Sequence, residues 1–164
     1  MIARLSITGI AFAAVLAAAL PISGNLVSVG AVAHTAHVFA AGEPGDPKKP
    51  YRTIELTMRE GNGTMAYEPG QIEVKRGEQI MFVLLNAGAL PHEFLLDSFE
   101  NNAKHKIEMQ KNPEMEHDEP NGKRVEPKSD SKILWRFSKA GTFEFGCLIP
   151  GHYEAGMKGT VIVK

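Results

Sequence analysis

Apolar and polar residues alternate over 52–58 (RTIELTM), which puts Ile54, Leu56 and Met58 on one face, and over 71–75 (QIEVK), where Ile72 and Val74 share a face. A period of two predicts strands with one side on a core and the other in water. The run 79–85 (QIMFVLL) is continuously apolar, too short for an ordinary helix, and bounded by Arg76-Gly77-Glu78 and Asn86-Ala87-Gly88. It predicts a central strand. A short strand is expected at 94–96. Alternation then returns at Ile133, Trp135 and Phe137, a turn follows over 138–141, and further strands are predicted through Phe143, Phe145 and Cys147 and over 160–163. Roughly six to eight short strands joined by Gly-rich turns predict an all-β protein, a Greek-key β-sandwich. The stretch 98–130 breaks the pattern, being polar and rich in Glu and Lys. It predicts a short helix around 100–111 followed by an irregular loop.

The N-terminal pattern is different. No charge occurs from Leu5 to Ala33, and the block 10–20 (IAFAAVLAAAL) follows Arg4. A positive start, a short apolar core and small residues predict a secretory signal within residues 1–40, with cleavage after Ala33 or after Ala40. An uncleaved membrane anchor is the competing reading, which Pro21, Gly24 and Asn25 disfavour by interrupting the run. Residues 41–50, containing EPGDPKKP, read as a linker, so the folded domain is expected over 51–164 in the periplasm.

Composition narrows the function classes. The chain has 164 residues, 43% hydrophobic and 23% charged, which is globular. Its 18 basic and 19 acidic residues give a net charge of −1, so there is no electrostatic case for nucleic acid or for an anionic membrane surface. The single cysteine, Cys147, leaves no disulfide partner within the chain and excludes a zinc site built from several thiolates.

That thiol sits in the most informative segment, 146–159 (GCLIPGHYEAGMKG), where Cys147, His152 and Met157 are spaced C-x4-H-x4-M. Thiolate, imidazole and thioether form a soft donor set that selects copper over magnesium, calcium or manganese. A strand end, the Pro150-Gly151 turn and the start of the last strand can bring the three together. A trigonal two-histidine, one-cysteine site with a weak axial methionine needs one more imidazole. His92, in the segment Asn86-Ala87-Gly88-Ala89-Leu90-Pro91-His92-Glu93-Phe94, is the best candidate.

A PHEF-type first histidine after an N-x-G turn, followed by a C-x4-H-x4-M loop and a closing G-x-(V/I)-x-V strand, resembles the cupredoxin family over about residues 52–164. The ligand loop is similar to those of rusticyanin-type and auracyanin-type members. The whole arrangement is most similar to periplasmic cupredoxins associated with copper tolerance. The resemblance implies one type 1 copper held equatorially by His92, Cys147 and His152 and axially by Met157. It also implies an electron port at the ring edge of His152, with Leu148, Ile149, Pro150 and Gly151 as an apolar patch where a redox partner such as a cytochrome or copper protein docks. One residue departs from the family: many cupredoxins have Asn after the first histidine, bracing the ligand loop, whereas here it is Glu93. An ionised carboxylate only accepts hydrogen bonds, so Glu93 is expected either to accept one from the loop backbone or to point to solvent.

Taken singly, a buried cysteine or methionine is ordinary core. A Cys/His nucleophilic enzyme is the sharper rival, but it leaves Met157 and the β pattern unexplained, and no catalytic role is assigned to any residue. A second cluster, His105, Met109, Met115 and His117, suits an auxiliary Cu(I) site; a solvated loop with incidental Met and His fits it equally well. Two functions remain: copper tolerance through copper binding and one-electron redox chemistry, or a dedicated electron carrier.

Overall fold

A computed structural model describes residues 38–113, 115 and 119–164; residues 1–37, which hold most of the expected signal segment together with His34 and His37, and His117 lie outside the described residues. Among these, ten strands and one helix follow in the order β1 (Glu43–Pro44), β2 (Arg52–Gly61), β3 (Thr64–Glu68), β4 (Gln71–Val74), β5 (Gln79–Asn86), β6 (His92–Asp97), α1 (Phe99–Lys111), β7 (Gly122–Val125), β8 (Asp130–Arg136), β9 (Gly141–Gly146) and β10 (Lys158–Val163). They form two five-stranded sheets, ordered β1-β8-β5-β2-β3 and β4-β10-β9-β6-β7. The β2–β5 and β4–β10 pairs are parallel and the others antiparallel.

Alternation decides which side chains meet between the sheets. Leu56 and Met58 of β2, Phe82 and Leu84 of β5, and Ile133 and Trp135 of β8 face Phe94 and Leu96 of β6, Phe143 and Phe145 of β9, and Val161 and Val163 of β10 in one core cluster. All six residues of β6 are buried. Its inner face enters this core, while Leu95 on the outer face joins Met109 of α1 and Leu148 in a second cluster. Helix α1 thus covers the outside of the second sheet. Ser98 caps it, its side chain accepting the Asn101 N–H at 3.1 Å, and buried Asn102 fastens it by donating to the Glu144 carboxylate at 3.1 Å.

The stretch 41–50, expected as a linker, is packed and paired with the folded domain. Glu43 and Pro44 pair with Arg136 and Trp135 as an edge strand, Ala41 is fully buried, and Phe39 lies edge-on to Trp135 at 5.2 Å. The Gln79 side chain holds the rest, accepting from Asp46 N–H at 2.6 Å and donating to the Pro50 carbonyl at 3.1 Å. Proline fits here because an edge strand can forgo one donor. The expected irregular loop after α1 also contains a strand, β7, paired with β6 through His92↔Val125.

Candidate metal centre

Three elements converge at one end of the sandwich. Strand β5 ends at Asn86, whose buried amide donates to the Leu90 carbonyl at 2.8 Å and the Val125 carbonyl at 2.9 Å and accepts Gly88 N–H at 2.9 Å. One side chain therefore closes the turn and ties the two sheets together, delivering His92 as the first residue of β6. Cys147 follows β9. The loop after it folds back on itself, with His152 N–H donating to Ile149 carbonyl at 3.0 Å and Met157 N–H to His152 carbonyl at 3.1 Å. Cys147 N–H donates to Met157 carbonyl at 3.0 Å, so both ends of the loop are pinned side by side.

Three of the four expected donors meet: His92, Cys147 and His152. Ligating atoms of His92, Cys147 and His152 lie within 4.8 Å of one another. The two Nδ1 atoms are 3.3 Å apart, and Cys147 Sγ is 3.4 Å from His152 Nδ1. Cys147, His92 and Met157 are completely buried, whereas His152 is half-buried. Burial pushes the Cys147 thiol up to about 12, only partly opposed by the Glu93 N–H. Burial also lowers both imidazoles, with the Glu60 carboxylate opposing this at His92 and the neighbouring His92 reinforcing it at His152. Near neutrality the set is one thiol and two neutral imidazoles. A soft cation displaces a single proton and gains a thiolate and two nitrogen lone pairs converging on one point, so the donor chemistry fits copper.

Glu93 does not point to solvent; it is buried. The brace that asparagine gives other cupredoxins falls partly to the backbone here. Glu93 N–H donates to Cys147 Sγ at 3.3 Å, and its carbonyl accepts from the Tyr67 hydroxyl. Of the expected docking patch, Leu148 is buried against Leu95 and Met109, Ile149 is half-buried, and only Pro150 and Gly151 are exposed. In the second cluster, Met109 is fully buried and Met115 packs on the same apolar group, which is core packing for Met109. His105 is half-buried on α1. Met58 is core, and Met65 meets the ligand loop through its N–H, which donates to Ala155 carbonyl at 2.9 Å.

Sequence reasoning missed Glu60. From the end of β2 its carboxylate reaches His92 Nε2 at 2.8 Å. The signal was present: Glu60 continues the inward-facing series Ile54, Leu56, Met58, an acidic residue on an apolar face.

Residues 54–164 match the family model of copper binding proteins, plastocyanin/azurin family. The chain belongs to this family. The copper-resistant cuproprotein CopI of Rubrivivax gelatinosus is 44% identical over 82% of this chain and 79% of its own length. CopI of Pseudomonas aeruginosa is 35% identical over 91% and 96%. Among solved structures, the reduced auracyanin of Roseiflexus castenholzii superposes with a TM-score of 0.59 at 23% identity, covering 71% of this chain and 99% of its own. Auracyanin A of Chloroflexus aurantiacus gives 0.58 at 19%, covering 70% and 100%. These last two establish the cupredoxin sandwich. Membership in the family together with the His-Cys-His cluster makes copper the cofactor of this cupredoxin, at a type 1 site.

Proposed function

We propose that this cupredoxin is an exported protein of periplasmic copper tolerance in which His92, Cys147, His152 and Met157 would hold copper and let it cycle by one electron. The observation that carries the reading is the meeting of two imidazoles and a thiol in a chain whose CopI relatives share 35% and 44% identity over most of both lengths. Met157 is supported by its burial and by the hydrogen bond that fixes its backbone to Cys147.

Copper supplies a one-electron couple. The chain's residues supply the frame: Asn86 and the 147–157 loop hold the donors in place, and β6 and the core exclude water from three of the four. Donors held by this frame would move little when bound copper changes its oxidation state. Half-buried His152 is the route to a partner. Export is supported by the N-terminal pattern, and the packing of Phe39 on Trp135 favours cleavage after Ala33, which retains that contact.

Deleting the gene should sensitise the host's growth to copper, with tolerance restored by the wild-type chain and not by Cys147→Ser. Unchanged tolerance accompanied by slowed respiratory or photosynthetic electron flow would instead support a dedicated carrier.

A further inference from the structure

Glu60 stands at the centre of a small network that begins in a strand 32 residues before His92. Its Oε1 lies 2.8 Å from His92 Nε2 and accepts the Leu90 N–H at 2.9 Å, and its two oxygens share the Ala89 N–H at 3.1 and 3.2 Å. Gly88 makes room for it: a Cβ there would stand 2.1 Å from Glu60 Oε1. His92 is fully buried, and the Glu60 side chain keeps 20% exposure.

A neutral imidazole carries one N–H and one lone pair, and the partner of one nitrogen decides the role of the other. An ionised carboxylate can only accept, so Nε2 is the donor and the lone pair of Nδ1 faces His152 Nδ1 and Cys147 Sγ. A backbone carbonyl in the same place would fix the tautomer equally well. A carboxylate does more, because it makes the imidazole a stronger donor and sets a negative charge one ring's width from the metal. Negative charge favours the higher oxidation state.

We infer that Glu60 is a positioning residue for the copper centre: it locks His92 as the Nε2–H tautomer, aims Nδ1 at the metal, and biases the site toward Cu(II) over Cu(I). This rests on the copper reading above and adds to it a direction of redox preference that suits a protein holding copper in its less toxic, oxidised form.

Three variants separate the parts. Glu60→Gln keeps an acceptor of the same reach without the charge, Glu60→Ala removes both, and Gly88→Ala displaces the carboxylate without changing it. The ring tautomer of His92 is read by nitrogen-15 NMR of the metal-free chain, and the affinities for Cu(II) and for Cu(I) by competition with chelators. The wild type should show the Nε2–H tautomer, retained in Glu60→Gln and mixed in Glu60→Ala and Gly88→Ala. The ratio of Cu(II) to Cu(I) affinity should fall about tenfold in Glu60→Gln, equivalent to a rise of ~59 mV in a one-electron potential, and further in Glu60→Ala. A wild-type His92 protonated on Nδ1, or a ratio within about twofold of wild type in both Glu60 variants, overturns the inference. A wild type that fails to bind Cu(II) would sink the copper reading instead, a result on which the metal-free tautomer does not depend.

Discussion

The two imidazoles of the centre offer the same atom and are built in opposite ways. His92 is completely buried, starts a strand paired on both sides, and has its outer nitrogen on Glu60. His152 is half-buried and rides on a loop, outside any strand, that is held by its own backbone and by ties such as Met65 N–H to the Ala155 carbonyl at 2.9 Å and the Tyr153 hydroxyl to the Glu144 carboxylate at 2.8 Å. The difference divides the work of the site. One histidine belongs to the fold and the other to the surface; under the proposed function the first would set what the metal prefers and the second would carry the electron.

Substitution should expose this division first in stability. His92→Ala empties a fully buried position and takes one partner from the Glu60 carboxylate, which should cost the metal-free protein about 2–3 kcal/mol in denaturant unfolding. His152→Ala, at a half-exposed loop position, should cost under about 1 kcal/mol. Equal losses would mean that both histidines are structural and that the division is false.

A smaller effect concerns protons. The Cys147 thiol, pushed up to about 12, is protonated at neutral pH, while both imidazoles are lowered and already neutral. Metal uptake must therefore release one proton, from sulfur, and apparent affinity should rise about tenfold, or ~1.4 kcal/mol, per pH unit above neutrality until the thiol itself ionises. On acidification the slope should steepen as the imidazoles begin to compete. Calorimetry in buffers of different ionisation enthalpy counts the protons. Release of two or more near pH 7.5 would show that a histidine in the metal-free site is charged.

The same contrast explains what could be read from the sequence. Cys147, His152 and Met157 lie in one segment, so their spacing is a local pattern, and His92 is marked by its Pro and Phe neighbours. Glu60 reaches the site only because β2 runs beside β5 in parallel, with Met58 opposite Asn86; no local spacing encodes that register. The strands that escaped notice, β1, β3 and β7, all lie at sheet edges. Edge strands tolerate Pro44 and charges such as Lys123 and Arg124, so these three lack the apolar alternation that betrays β2, β8 or β9, and that the edge strand β4 keeps through Ile72 and Val74. Leu148 was misplaced for a related reason: a leucine in a ligand loop looks like surface until α1 is known to lie over it. Of the two readings of Glu93, a loop-backbone acceptor or a solvent-facing carboxylate, the second fails because all of β6 is buried.

The central claim is that one copper ion is held through sulfur at the meeting point of His92, Cys147 and His152, and titrating the metal-free chain with Cu(II) under visible absorption tests it most directly. An intense sulfur-to-copper charge-transfer band should grow to an end point at about one copper per chain and be absent from Cys147→Ser. A folded wild type that stays colourless, or a band that survives in Cys147→Ser, would contradict it.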